Sequence, residues 1–132
     1  MLDARYLMNY RNLDVWKLGR ELVIAIHEMT LTKLPKVEMF EEGAQIRRAI
    51  KSVKLNIVEG YGRRRYKQEF LRFIDYALAS CDETTDHLDT LIATKSLTDA
   101  ATINELATRL EELGRKLNLF LQSIERSHIS EK

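Results

Sequence analysis

Residues 103–124 read INELATRLEELGRKLNLFLQSI, and this stretch decides the fold class of the chain. Its large apolar side chains recur at alternating spacings of three and four residues, at Ile103, Leu106, Leu110, Leu113, Leu117, Phe120 and Ile124. Such spacing places them on one side of an α-helix, whereas a half-buried strand would alternate every second residue. The stretch therefore predicts a long amphipathic helix that buries one face against other helices.

The same periodicity occurs in three earlier segments. Helix one is predicted over about residues 13–31 with Asn12 as its N-cap, and helix two over about 38–59. Helix three is predicted to end near Lys95, and Thr98 or Asp99 to cap helix four. The predicted core faces of helices one to three are, in chain order, Trp16, Gly19, Val23, Ile26 and Thr30; Phe40, Ala44, Ile46, Ile50, Val53 and Ile57; and Phe70, Phe73, Ala77, Cys81, Thr84, Leu88 and Leu91.

Short connections between long helices favour antiparallel neighbours, so we predict an all-α fold, an up-down-up-down antiparallel four-helix bundle. The bundle is predicted over residues 13–127, between tails at 1–12 and 128–132. The length of 132 residues suits one domain, and the five glycines and one proline leave few breaks for strands and turns.

The single cysteine, Cys81, cannot form an intramolecular disulfide. The chain shows neither a leader sequence nor an apolar run approaching the ~20 residues that cross a bilayer. We therefore expect a cytoplasmic protein without a membrane segment.

More apolar residues are present than one helix seam requires: Leu18, Leu22, Met29, Leu71, Ile74, Leu78, Leu119 and Leu121. Two interpretations follow from this pattern. The residues either enlarge the core of one chain, together with ordinary exposed leucines, or form a second buried face by self-association.

Charge is distributed unevenly along the chain despite a net charge of +1. Residues 47–72 carry nine basic and two acidic side chains, whereas residues 73–94 carry five acidic side chains and neither Lys nor Arg. The chain is therefore a charge dipole along its sequence.

The basic segment contains EGYGRRRYK at residues 59–67, in which Gly60 is predicted to cap helix two in the left-handed conformation. A phosphate loop is excluded, because such loops follow a strand and open onto a helix N-terminus. The basic side chains instead suit a nucleic-acid backbone or an acidic protein partner, with Tyr61 and Tyr66 able to stack on bases. The predicted nucleic-acid-binding residues are Arg47, Arg48, Lys51, Lys54, Arg63, Arg64, Arg65 and Lys67.

Two alternatives to RNA or DNA binding stay open. The arginines can neutralise the carbonyl end of helix two, and the acidic segment can neutralise the basic one within a chain or between subunits. Either would make the protein a structural or protein-interaction bundle.

Enzymatic chemistry has little support in the sequence. CDETTDHLD at 81–89 places Glu83 and His87 one turn apart, but the paired Glu-x-x-His motifs of a di-metal bundle do not occur. Cys81 falls on a predicted core stripe, where a thiol is inert. We therefore predict a non-enzymatic protein with no cofactor and no metal; an enzyme with an unrecognised site is the weaker alternative.

Residues 45–91 strongly resemble the four-helix-bundle proteins of the 23S rRNA intervening-sequence family of bacteria. The shared motif elements, which reach upstream to Trp16 and to Pro35 with Glu38, are Gln45 to Ser52, Asn56 to Gly60, Arg63, Glu69 with Phe70, and Ala77 with Ser80. One departure is Tyr66, which replaces the small hydroxyl residue that begins helix three in many relatives.

The resemblance implies a ring-shaped homopentamer. It extends to accessory proteins of diversity-generating retroelements, similar bundles that engage nucleic acid and a reverse transcriptase. The family name records where the genes occur, inside rRNA genes. Asn56 and Glu59 are expected to have a structural role at the corner between helices two and three.

Overall fold

Four α-helices form the protein in the computed structural model, which describes residues 9–127. They are α1 (Asp14–Thr32), α2 (Glu42–Gly62), α3 (Lys67–Ala93) and α4 (Ala100–Ser127), with 3-10 helices at Tyr10–Asn12 and Lys36–Phe40. Consecutive helices pack together and α1 also packs against α4, which closes the bundle. No strand occurs between residues 9 and 127, so the predicted all-α class is confirmed. Most of the predicted N-terminal tail and the tail at 128–132 lie outside the described residues.

The core is a single apolar cluster to which all four helices contribute. On α4 the predicted stripe is confirmed, with Leu106, Leu110, Leu113, Leu117 and Ile124 buried. On α1 the predicted Gly19, Ile26 and Thr30 are buried, whereas the predicted Trp16 and Val23 are half-buried beside a buried stripe of Val15, Leu18, Leu22 and Met29. The helix itself begins at Asp14, and Leu13 precedes it without a side-chain cap, so the predicted Asn12 cap is wrong.

The surplus apolar residues belong mainly to the core of one chain. Leu18, Leu22, Met29 and Ile74 are buried, and Leu71, Leu78 and Leu121 are half-buried against the core. Only Leu119 of this set is exposed. The exposed large apolar side chains are instead Ile24, Leu31, Val37, Phe40 and Leu55, with Tyr66 and Tyr76.

Phe40 was predicted to start the core face of helix two, and this is wrong: its side chain is 85% exposed. The reason is that residues 36–40 form a 3-10 helix, so the α-helical phase begins only at Glu42. Glu38 secures the junction, since its carboxylate accepts from the Glu42 amide at 3.2 Å and the Ser96 hydroxyl at 2.6 Å. A Cβ at Gly43 would lie 2.5 Å from the Glu38 carbonyl oxygen, so the turn requires glycine.

Gly60 does not cap α2, which corrects a second prediction. The helix continues to Gly62, and within the described residues no glycine has a positive φ. Gly60 is buried, and a Cβ there would lie 3.1 Å from Phe73 Cβ and 3.3 Å from Ile74 Cδ1. This glycine therefore permits α2 and α3 to approach closely.

The left-handed residue lies instead at the end of α3, where Lys95 has φ 63°. The Ser96 amide donates to the Leu91 carbonyl at 2.9 Å and the Lys95 amide to the Ile92 carbonyl at 3.0 Å, which is a Schellman motif. The chain then buries Leu97 and reaches Asp99, directly before α4. Hydrogen bonds from Thr102 and Lys33 lower the pKa of Asp99.

Candidate nucleic-acid interface

The corner between α2 and α3 consists of Arg63 to Tyr66 and is fixed by backbone hydrogen bonds. The Arg63 amide donates to the Gly60 carbonyl at 3.0 Å, and the Tyr66 amide donates to the Arg63 carbonyl at 2.9 Å. Tyr66 stands where many relatives have a hydroxyl residue, and it precedes α3 without a side-chain cap. Four residues thus reverse the chain direction at one end of the bundle.

Arg63 connects the two helices at this corner. Its guanidinium donates to Glu59 at 2.8 Å and to Glu69 at 3.4 Å, and it lies 5.1 Å from the centre of the Phe73 ring. The hydrogen bond to Glu59 raises the pKa of Arg63. Glu69 also pairs with Arg72. The structural role expected for Glu59 therefore has a direct counterpart in this network.

Arg64 and Arg65 are exposed and lie against tyrosine rings. The Arg64 guanidinium is 4.1 Å from the centre of the Tyr61 ring and donates to the Tyr61 carbonyl at 2.8 Å. The Arg65 guanidinium is 5.4 Å from the centre of the Tyr66 ring, which is itself 59% exposed. Each arginine therefore forms a cation–π pair, and of the two rings Tyr66 is exposed whereas Tyr61 is half-buried against Phe70.

Lys67 is half-buried and connects the start of α3 to the end of α4. Its ammonium group donates to the Glu125 carbonyl at 3.0 Å. A cation at this position also meets the negative partial charge at a helix C-terminus. Lys67 is therefore engaged in the fold at the same end of the bundle as the corner.

The basic residues of α2 differ among themselves in their surroundings. Arg47 is half-buried and donates to the Thr30 hydroxyl at 2.9 Å and to the Met39 carbonyl at 2.8 Å, so it holds the α1–α2 connection. Arg48 donates to Gln45 at 2.7 Å. Lys51 and Lys54 form no ion pair with any described residue.

The α2 residues and the corner do not form one continuous basic surface. Lys54, the nearest member of the α2 group, lies eight residues before the last residue of α2, which is about 12 Å along the helix axis. The exposed side chains of Leu55 and Glu59 intervene. The structure therefore separates the eight predicted binding residues into an α2 group and a corner group.

The acidic segment does not neutralise either group. None of its five carboxylates, Asp75, Asp82, Glu83, Asp86 and Asp89, pairs with Lys or Arg in the described part of the chain. Glu83 lies 3.5 Å from His87 Nε2, and His87 Nδ1 lies 2.5 Å from a Glu42 oxygen. Neutralisation of one segment by the other within a chain is therefore not observed.

His87 and Cys81, the candidates for metal binding and nucleophilic catalysis, both have structural roles in the fold. His87 bridges the beginning of α2 and the second half of α3 through Glu42, and residues 9–127 contain no group of three or more side chains suited to hold a metal ion. Cys81 is buried, its thiol lies 3.6 Å from the Leu110 carbonyl oxygen, and burial raises its pKa to about 11. The prediction that Cys81 lies in the core is confirmed.

A short network of polar side chains, here the polar seam, lies between α2 and α3, and it was not predicted from the sequence. Ser52 and Ser80 hydroxyl oxygens are 2.8 Å apart across it, and the Asn56 amide donates to the Ser52 carbonyl at 2.9 Å and to its hydroxyl at 3.1 Å. Asn56 thus acts within α2 and supports the seam rather than the corner. The sequence feature that could have predicted the seam is the pair Ser52 and Asn56, which lie one turn apart beside the apolar stripe of α2.

These features define a small four-helix-bundle protein. Its second and third helices form a closely packed hairpin, with a polar seam between the helices and a basic corner at the turn. The model of the family described as 23S rRNA-intervening sequence protein matches residues 11–119. The chain belongs to this family, as its sequence motifs predict.

A solved structure supports the fold. A crystal structure of a protein of unknown function from the S23 ribosomal protein family of Bacteroides thetaiotaomicron has a TM-score of 0.71 and 21% sequence identity; the match covers 82% of this chain and 95% of that one. No curated protein matches the chain. Among residues 9–127, no helix is both long and apolar enough to span a membrane.

Proposed function

We propose that the protein is a non-enzymatic scaffold, a homopentamer, that binds the phosphate backbone of RNA or DNA at its α2–α3 corner. The observation that carries the proposal is the corner surface itself. Arg64 and Arg65 are exposed beside Tyr61 and Tyr66, and no carboxylate of the acidic segment pairs with a described Lys or Arg. Guanidinium groups bind phosphate, and aromatic rings stack on unpaired bases whatever their sequence.

The corner residues divide between two tasks in this proposal. Arg63 links Glu59 of α2 to Glu69 of α3, and Lys67 links the start of α3 to the end of α4, so these two residues hold the corner in shape. Arg64, which bonds to the Tyr61 carbonyl within its own turn, and Arg65 are exposed, and these two contact the ligand. A protein-interaction bundle without a nucleic-acid ligand is the second candidate, and the partners of Arg63 and Lys67 favour it.

Repetition of the corner around a ring strengthens weak individual contacts. A subunit with a few exposed cations binds phosphate weakly, whereas several copies on one particle raise the effective concentration for each further contact. The pentamer rests on the resemblance to the family. The description of the family refers to 23S rRNA, which makes ribosomal RNA one ligand to compare with DNA.

The non-enzymatic part of the proposal follows from how the titratable side chains are used. Where they converge, at Glu59, Arg63 and Glu69 and at Glu42, His87 and Glu83, they contact one another. Within residues 9–127, these two clusters form no open set of acid, base and nucleophile around a cleft.

Binding of a fluorescein-labelled single-stranded RNA, followed by fluorescence anisotropy, tests the proposal. We expect Arg64→Ala combined with Arg65→Ala to weaken binding at least about tenfold, which corresponds to about 1.4 kcal/mol. The matched control, Arg20→Ala with Arg115→Ala, removes two exposed arginines elsewhere and should retain most of the affinity. Equal losses in both variants, or no binding by the wild-type protein at low salt, would refute corner binding.

A further inference from the structure

Two rows of charge lie on different helices with the same spacing. Arg47, Lys51 and Lys54 of α2, here the cation row, are separated by four and then three residues. Asp82, Asp86 and Asp89 of α3, the acid row, are also separated by four and then three. The ends of each row are seven residues apart, about 10 Å of helix. The two rows therefore match in length and number of charges and have opposite signs.

The rows lie away from the line where α2 and α3 face each other. Ser52 and Ser80 mark the facing sides of α2 and α3. At about 100° per residue, Lys51 and Lys54 lie about 100° and 160° around α2 from Ser52, and the three aspartates lie about 120–180° around α3 from Ser80. Among the described residues, no ion pair joins the two rows within one chain.

Neighbouring contacts agree with this placement. Arg47 bonds to Thr30 of α1, so the cation row borders α1. Asp82, Asp86 and Asp89 are all exposed. The cation row therefore lies on the α1 side of α2, and the acid row lies on the exposed face of α3.

Five of the six charged side chains in the two rows are available to a partner. Lys51 and all three aspartates are exposed, Lys54 is half-buried, and none of these five forms an ion pair with the described residues. Arg47 is half-buried and bonds to Thr30 and Met39, so Lys51 and Lys54 are the cations of the row that a partner can reach. Leu55, 62% exposed and one residue after Lys54, adds apolar surface that is open to burial.

We infer that the cation row of one copy docks on the acid row of a second copy of the same chain. The second copy supplies the complementary charges at the complementary spacing, and a net charge of +1 sets up little overall repulsion between copies. The contact is heterologous because it joins two different surfaces, so it repeats from copy to copy around a ring or along a filament. This inference rests on the oligomer of the proposed function and assigns its interface.

The inference also assigns different functions to the α2 group and the corner group. The α2 group faces the next subunit, and the corner group, which begins about 12 Å further along the helix axis, stays open to nucleic acid. Reversal of charge in the cation row should therefore change the oligomeric state, whereas removal of Arg64 and Arg65 should not.

Charge exchange between the rows tests the inference, with mass measured by light scattering after size exclusion at low salt. Lys51→Glu with Lys54→Glu, and separately Asp86→Lys with Asp89→Lys, should each reduce the mass to the 15.4 kDa monomer. The chain that carries all four changes should recover the oligomer, because its rows are again opposite in sign. An equimolar mixture of the two double variants should also associate. Far-UV circular dichroism checks that every variant stays helical.

Lys17→Glu with Lys36→Glu is the matched control, since it changes the net charge equally at exposed positions outside the rows. It should remain oligomeric. A wild-type protein of oligomeric mass whose double variants keep that mass would overturn the docking inference alone. Folded double variants that are monomeric but fail to recover in the fourfold variant would also overturn it. A wild-type monomer at micromolar concentration would overturn both the inference and the proposed pentamer.

Discussion

The hydroxyl oxygens of Ser52 and Ser80 lie 2.8 Å apart and join α2 to α3 across their seam. Ser80 is buried, and its carbonyl accepts from Thr84 within α3 at 2.7 Å. Asn56 donates to Ser52 from one turn further along α2. The hairpin therefore combines small side chains with a short polar network, and both depend on close approach of the helices.

We predict that these two serines are energetically coupled. Either Ser→Ala change alone leaves one hydroxyl without its partner, whereas the double change removes both, so a double-mutant cycle in urea should give about 0.5–1.5 kcal/mol of coupling. Ser52→Ala paired with Thr108→Ala, an exposed residue of α4, should be additive within about 0.5 kcal/mol. Additive effects of the two serine substitutions would show that the hydrogen bond makes no net contribution to the free energy of unfolding.

Gly60→Ala should destabilise the fold by about 1–3 kcal/mol, because the added methyl group meets Phe73 Cβ and Ile74 where two helices cannot easily separate. Gly62→Ala is the control: nothing lies within 4 Å of its Cβ position and its φ is negative, so it should stabilise by about 0.4–1 kcal/mol. The measurement is the free energy of unfolding of each variant, compared with that of the wild type in urea titrations. A Gly60→Ala variant as stable as wild type would contradict close packing there.

These two glycines show which parts of the fold sequence reasoning could predict. Helical periodicity depends on local spacing, so helix number, order and most of the core followed from the sequence. The role of Gly60 depends on how closely α3 passes, which no local pattern records. Phe40 was misplaced for a related reason, because a 3-10 turn held by Glu38 and Arg47 interrupted the α-helical phase.

The candidate site was predictable to a similar degree. The basic composition of the corner was visible in the sequence, whereas the partners of Arg63 and Lys67 depend on residues that folding brings near, such as Glu125. Separation of the α2 group from the corner likewise depends on helix length and side-chain direction. Residue type alone could not distinguish the cations that hold the fold from those that face solvent.

Arg63 and Arg65 should therefore differ in their effect on stability. Arg63→Ala removes the link between Glu59 and Glu69 and should lower the urea midpoint, whereas Arg65→Ala should leave it unchanged. High salt should shrink the difference, since exposed ion pairs are screened. Equal urea midpoints for the two variants would contradict a structural role for Arg63 at the corner.

Cys81 should react slowly in the folded protein. With its pKa raised to about 11, roughly one thiol in a thousand is ionised at about pH 8, compared with about a quarter for an unperturbed thiol. Alkylation by iodoacetamide should be at least about 100-fold slower than in the urea-unfolded chain. The rate should rise about tenfold per pH unit while the protein stays folded. A native rate within about tenfold of the unfolded rate would contradict burial of the thiol.

The most direct test of the central claim, that the exposed corner arginines bind nucleic-acid phosphate, is the salt dependence of RNA affinity. We expect log affinity of the wild-type protein to fall linearly with log salt between about 50 and about 200 mM. Replacement of Arg64 and Arg65 by Ala should lower the affinity and flatten that slope while mass and helical content are retained. A double variant with the same affinity and the same slope as the wild type would contradict the claim.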